Sequence, residues 1–305
     1  MRLINTTTLQ VVEFLSIDVP PYAILSHTWG NEEVTFRDMM LRFTEDPAVE
    51  ASTRIERKAG FIKIQKSCEL AKRDGFEYIW NDTCCIDKES SAELSEAINS
   101  MYRHYGGSGV CYAYLVDVSR DEMAVSVSLC KSRWFTRGWT LQELLAPSNV
   151  IFYDKDWLEI GTRNSLADLI SVITRIPTSV LKGDQDLKSC GIAQRMSWAA
   201  ERRTTRAEDL AYCLMGIFGV GMPTLYGEGA IRAFIRLQEE IIKYSDDTTI
   251  FAWRANTSPK NQARGLLAWS PSEFIDSGKI TAVQGLATYF LPSSNHIVTN
   301  RGLRI

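Results

Sequence analysis

Tyr22-Ala23-Ile24-Leu25-Ser26-His27-Thr28-Trp29-Gly30 is the stretch on which the fold turns. It follows Pro20-Pro21, opens with a run of apolar residues and then becomes polar and aromatic. That pattern reads as a buried strand, Tyr22 to Ser26, running into a loop from His27 to Glu33. Upstream, Leu9 to Phe14 reads as a short strand. Downstream, Thr35 with Asp38 resembles a helix-opening cap, with Phe36, Met39 and Met40 as the apolar face. A longer helix is expected from about Thr53 to Arg73. Its Phe61, Ile64, Cys68 and Ala71 stand at i, i+3, i+7 and i+10, so one stripe faces a core.

Gly75 stops that helix and Phe76 to Trp80 reads as the next strand. Ser90 with Glu93 makes a capping box for a helix whose Leu94, Ile98, Met101 and Tyr105 share one face; Gly106-Gly107 ends it. Val110 to Val116 is a continuous apolar strand, expected to be buried on both sides. A helix around Gly138 to Leu145 and a strand from Val150 to Tyr153 follow. Strand and helix thus alternate from Tyr22 onward, which predicts an α/β domain over residues 1–155: an open, mainly parallel sheet flanked by helices.

Beyond Trp157 helical periodicity dominates, in Ser165 to Ile173, Ala193 to Arg202, Thr205 to Ile217 and Gly229 to Tyr244, with Thr205 and Glu208 read as another capping box. Residues 156–245 are therefore expected to form a helical extension packed on the first domain. Residues 246–305 are expected to hold short strands: Thr249 to Trp253, Leu266 to Trp269, Ala287 to Leu291 and Ile297 to Thr299. Gly302-Leu303-Arg304-Ile305 reads as the start of a strand, so the natural protein is expected to continue.

Bulk properties narrow the function classes. The 305 residues are 45% hydrophobic and 23% charged, with eight Trp, eleven Tyr and twelve Phe, which is globular rather than disordered composition. A net charge of −3 lacks the basic excess of a nucleic-acid binder. Seven cysteines without CxxC spacing and only three histidines argue against a structural zinc site; no metal is expected. The start lacks a signal-peptide core, and free thiols fit a reducing, cytoplasmic setting. Leu210 to Gly227 carries no charge, but Gly216, Gly219, Gly221 and Pro223 interrupt it, so no membrane span is predicted.

In open parallel sheets ligands bind beyond the carboxyl ends of the strands. Three polar-aromatic clusters fall there: Ser26 to Gly30, Asn81 to Asp87, and Ser132 to Leu144. These clusters carry a family resemblance. Tyr22 to Gly30, Asp82 to Ile86 and Arg133-Trp134-Phe135-Thr136-Arg137-Gly138-Trp139-Thr140-Leu141-Gln142-Glu143 resemble the signature blocks of fungal heterokaryon-incompatibility (HET) domains. Ala193 to Ala199, Asp209 to Gly216, Leu225 to Gly229 and Phe251-Ala252-Trp253 resemble segments that follow that domain in one subgroup. The resemblance implies an effector of non-self recognition that ends in programmed cell death, joined to a nucleotide-binding oligomerisation domain or working by self-association. No GxxxxGK[ST] loop and no repeat occurs here, so such parts are expected beyond Ile305.

A second, more distant resemblance is to TIR domains, which share an open flavodoxin-like sheet and often hydrolyse NAD. Trp139-Thr140-Leu141-Gln142-Glu143-Leu144 resembles the TIR stretch with the catalytic glutamate, which implies Glu143 as the catalytic residue and NAD(P) as a substrate, with no bound cofactor. On that likeness Arg137 pairs with the pyrophosphate, Trp29 or Trp139 stacks on a ring, and Ser26, His27 and Asp82 hold ribose hydroxyls. Read from the residues alone, alternatives stay open. Glu143 fits equally a solvated helix position or a partner of Arg137. Trp134 and Trp139 fit core packing, His27 a loop cap or a general base, and Asp82 a backbone cap. Cys85 is a nucleophile only if His27 serves as its base, and otherwise a buried thiol. The Gly216-x-x-Gly219-x-Gly221 run is a turn rather than a phosphate cradle. A non-enzymatic module that recruits cell-death partners is the alternative to an enzyme; a pore former lacks the helix it would need.

Overall fold

The strand Tyr22–His27 is buried at all six positions, the apolar Tyr22 to Leu25 and also the polar Ser26 and His27, and it pairs in parallel with a strand on each side. The computed structural model describes residues 1–15, 17–42, 54–120, 125–256, 264–281, 297–299 and 302–304. The chain divides into two compact units, Met1–Trp134 with Glu143–Leu166, and Phe135–Gln142 with Ala167–Ile305.

The first unit is built on β1 (Arg2–Asn5), β2 (Val11–Glu13), β3 (Tyr22–His27), β4 (Tyr78–Trp80), β5 (Val110–Tyr114), β6 (Val150–Tyr153) and β7 (Glu159–Thr162). Their order across the sheet is β2-β1-β4-β3-β5-β6-β7. The four central strands are parallel, with Ala23 opposite both Ile79 and Val110, and Cys111 opposite Val150. The flanking strands β1, β2 and β7 run antiparallel to their neighbours. Counting only the parallel core in chain order, the strands lie 2-1-3-4. This is flavodoxin-like order, and the connections leave in opposite directions between β3 and β5, the switch point where such sheets bind ligands. β5 is buried along its whole length, as a strand covered on both faces must be.

The helix Ala59–Arg73 buries Phe61, Ile64, Cys68 and Ala71, the stripe expected from spacing. Its tight start is set by Gly60, where a Cβ would stand 2.6 Å from the Glu32 carbonyl oxygen. The helix Ser91–Gly106 is capped by Ser90, whose hydroxyl accepts from the Glu93 amide at 3.4 Å. The expected reciprocal bond is not made; the Glu93 carboxylate instead accepts from the Asp87 amide at 2.8 Å and pairs with Arg2. Ile98, Met101 and Tyr105 are buried on the predicted face.

Several expectations need correction in this unit. The strand expected from Leu9 to Phe14 is shorter, Val11–Glu13, and its partner β1 is a strand the sequence reading missed. The turn between them is made by the Asn5 side chain, which accepts from the amides of Thr7 and Thr8, and Leu9 takes φ 61°. β7 was also missed, since Glu-Ile-Gly-Thr has neither alternation nor an apolar run.

In the second unit the helices are Ala167–Thr174, Thr178–Lys182, Ile192–Ser197, Asp209–Tyr212, Met215–Phe218 and Ala230–Tyr244. The last buries Ala233, Phe234, Leu237, Ile241 and Ile242 along one face. The single helix expected from Thr205 to Ile217 is two short ones, the second closed by Gly219 at φ 69°. The Thr205/Glu208 capping box does not form, because the Glu208 carboxylate accepts from the amides of Gly227 and Gly229 at 2.9 and 3.1 Å. Thr249 to Trp253 is not a strand: Thr248–Phe251 is a 3-10 turn capped by Asp247. Nor is Leu266 to Trp269, where the buried Gln238 amide takes both backbone groups of Ala268, the donor and the acceptor that a strand partner would need. Ala287 to Leu291 lies outside the described residues. Ile297–Thr299 does form a strand, paired antiparallel with Gly302–Arg304. Among the described residues no helix is long and apolar enough to cross a membrane.

Candidate functional site

Ser26 stands opposite Ala113 in the register, near the carboxyl ends of β3 and β5 and therefore at the switch point. It is fully buried, yet its hydroxyl is doubly engaged. It donates to the Glu143 carboxylate, and it accepts from the Trp134 indole Nε1 at 2.8 Å. A chain of hydrogen bonds therefore runs Trp134 to Ser26 to Glu143, joining residues 117 positions apart. Tyr105 lies against the same carboxylate and donates to the Leu25 carbonyl at 3.1 Å; burial, then the Glu143 charge, pushes its phenol well above its ordinary pKa. It stays a protonated donor. Glu143 itself is 7% exposed.

The short helix Thr140–Leu145 carries Glu143, and its carboxyl end is held by Arg163. The Arg163 guanidinium is buried and donates to the carbonyls of Leu144 and Pro147 at 2.8 Å each and of Ser148 at 3.0 Å. A cation on the last carbonyls of a helix satisfies groups that no amide in the helix can reach.

His27, the last residue of β3, is buried with Nε2 3.6 Å from Glu33. Glu33 also accepts from the Gly30 amide at 2.6 Å and pairs with Lys63. Burial alone would raise the Glu33 pKa; His27, the Gly30 amide and Lys63 outweigh it and hold the carboxyl at about 2. The loop after β3 is thus clamped by a permanent anion. Trp29 is 49% exposed, and its Nε1 donates to Asp82 at 2.9 Å. Asp82 opens the short helix Asp82–Cys85 directly after β4, with Asn81 as the N-cap accepting from the Thr83 amide at 3.2 Å. Ser26, His27, Trp29, Asp82 and Glu143 accordingly lie in one unit along one end of its parallel strands.

Cys85 follows Asp82 but is buried, accepts from the Asn81 amide at 3.4 Å, and has its pKa pushed by burial up to about 12. It is a thiol, not a thiolate, at neutral pH. Arg137 and Trp139 belong to the second unit. There Arg137 donates to the Thr205 hydroxyl at 3.0 Å, and Trp139 Nε1 donates to Asp209 at 3.2 Å. Asp209 also accepts from the Tyr226 hydroxyl at 2.9 Å, and burial raises its pKa. Residue types alone did not mark Tyr105, Arg163 or Lys88 as neighbours of this region. Trp134, read as core, is core and donor at once, which its burial alone does not reveal. Among the described residues no group of three or more His, Cys, Asp or Glu is placed to hold a metal.

Comparison with known proteins gives a matching pattern. The family described as Heterokaryon incompatibility protein (HET) matches residues 22–129, which include Ser26, His27, Trp29, Asp82 and Cys85 and stop short of Glu143. A domain of unknown function (DUF8212) matches residues 232–266. The vegetative incompatibility protein HET-E-1 of Podospora anserina is 44% identical over 258 residues, covering 82% of this chain and 18% of that protein. The chain thus spans under a fifth of that relative's length. No solved structure matches.

Proposed function

Since this chain is a HET-domain protein, we propose that it acts in vegetative incompatibility as the effector that triggers cell death, and that it does so by hydrolysing NAD(P) at the nicotinamide–ribose bond. The observation that carries this reading is the Glu143 carboxylate, seated on Ser26 at the switch point of a 2-1-3-4 parallel core. When the ribose C1′–nitrogen bond breaks, the electron pair leaves with the pyridinium nitrogen, which needs no proton. Positive charge then builds on the ribose, and a fixed carboxylate beside it is worth about 3–4 kcal/mol of barrier. Water adds to C1′ and loses a proton, giving ADP-ribose (from NAD) and nicotinamide. Ser26 and Trp134 fix the carboxylate in place; Asp82 and His27 are the residues we assign to the ribose hydroxyls once the covering loops open.

The carboxylate is covered in this state, so turnover requires the loops at the switch point to open, and clustering of several chains is the expected trigger. The same burial favours a second reading. In it Glu143 only ties its helix to β3, and the module kills by recruiting partners. NAD turnover by purified protein, alone and forcibly clustered, separates the two. Glu143→Gln keeps the shape and an acceptor for Ser26 while removing the charge. Turnover by the clustered wild type with a loss of 100-fold or more in the variant supports hydrolysis. Equal turnover, or none in either protein, ends the hydrolase reading and leaves the recruiting module.

A further inference from the structure

A cavity of about 550 Å³ is lined by residues of the helix Ser91–Gly106, of β1 and β2, and of the end of β4. Pockets for small ligands measure about 300–1,000 Å³. Val19, Ile86 and Ala97 contribute apolar wall, and Trp80 lines the cavity while only 1% exposed. Two polar groups of the lining residues have no protein partner. The Trp80 indole N–H makes no hydrogen bond among the described residues, and the His104 Nδ1 is buried without one. The two rings stand 5.6 Å apart. Orphaned polar atoms in a packed interior cost free energy that a ligand's polar group recovers.

The charge at this end of the cavity is positive. Burial, followed by the charges of the residue-1 amine and Arg103, holds the His104 pKa at about 4. The amine donates to the Phe14 carbonyl at 2.7 Å and Arg103 to the Ser100 hydroxyl at 2.9 Å. Neither pairs with a carboxylate among the described residues. Of the carboxylates lining the cavity, Glu93 pairs with Arg2, and Glu13 stands 4.0 Å from the same guanidinium. Glu96 precedes His104 by about 12 Å of helix axis.

We infer that this cavity binds a small organic acid, with its carboxylate at the Trp80, His104 and Arg103 end and its apolar body against Val19, Ile86 and Ala97. A carboxylate accepts from the indole N–H and from the guanidinium donors that Ser100 leaves over. The neutral imidazole adds a third donor when it carries its proton on Nδ1. The apolar wall selects against inorganic anions, which bring no carbon surface to bury. The cavity shares no lining residue with the Ser26–Glu143 pair, so this inference is independent of NAD(P) cleavage.

Benzoate, benzyl alcohol and inorganic phosphate are the probes, titrated into the full chain and read from the imidazole NMR signals, with His104 assigned from its loss in His104→Leu. Benzoate is expected to shift the His104 signal saturably, with a dissociation constant on the order of 1 mM for so few atoms, and to leave His27 unmoved. Benzyl alcohol should bind about tenfold more weakly, and phosphate should not saturate. Arg103→Gln should bring benzoate down to the level of the alcohol and leave the alcohol unchanged, an unaltered His27 signal reporting an intact fold. Ala97→Leu, which fills the apolar wall, should weaken both. No saturable shift of His104 with benzoate, equal affinity for benzoate and benzyl alcohol, or phosphate binding as tightly as benzoate would overturn the inference.

Discussion

Arg163→Met is expected to loosen the helix that presents Glu143. The guanidinium makes three hydrogen bonds, to Leu144, Pro147 and Ser148, with lengths of 2.8, 2.8 and 3.0 Å. A hydrogen bond from a charged donor contributes about 1.5–3 kcal/mol. Against this stands the cost of holding a guanidinium out of water, several kcal/mol, which the variant no longer bears. Methionine keeps most of the volume, so no large cavity opens, and Ser148 is exposed enough for water to replace its bond. Leu144 and Pro147 have no such substitute, and a net loss of about 2–4 kcal/mol follows. At a slope of roughly 2 kcal/mol per molar urea, the unfolding midpoint of the first unit falls by about 1–2 M. Hydrogen exchange should show the loss beginning at residues 140–150. Arg163→Lys, which keeps the charge but not the fork, should recover about half. A midpoint within about 0.3 M of wild type, with unchanged exchange in that segment, would refute the account of how this helix end is held.

Two further outcomes follow from the structure. His104 is held at a pKa of about 4 by burial, with the amine of residue 1 and Arg103 adding to it, and its Nδ1 is buried without a hydrogen-bond partner. Its folded pKa lies below the ordinary 6.5, so the unfolded chain binds the proton more readily and stability present above pH 6.5 is lost as pH falls towards 4. Between pH 7 and 5 the loss is about 1–2 kcal/mol, and His104→Leu should flatten that part of a melting-temperature profile. Gly60→Ala places a methyl 2.6–2.9 Å from backbone atoms of Glu32, Glu33 and Val34, and should destabilise by about 1–3 kcal/mol in urea unfolding, with the loop carrying Glu33 displaced.

The central strands were legible because a parallel strand covered on both faces is built mainly from apolar residues, and Tyr22 to Leu25 and Val110–Tyr114 carry that signature without interruption. The edge strands were not. Arg2–Asn5 and Glu159–Thr162 owe their state to a neighbour rather than to their own pattern. Local preference misled where a distant group took the bond a local partner was expected to make, as the Gln238 side chain does at the Ala268 backbone and as the Gly227 and Gly229 amides do at the Glu208 carboxylate. Ser26 and Glu143 were each legible as residues near strand ends, but the bond between them spans 117 positions and depends on strand order, which no local window contains. Lys88 escaped notice for a different reason: a lysine after a turn is ordinarily a solvated charge, and only the position of Trp29 gives it an address.

The location of the switch point is a property of connectivity, whereas the groups displayed there belong to a handful of loop side chains. Lineages that inherit the strand order inherit the crevice with it, and can retune what it accepts by changing the residues after β3 and β4 without disturbing the buried sheet. Such a separation lets what the crevice accepts diversify while the scaffold stays intact.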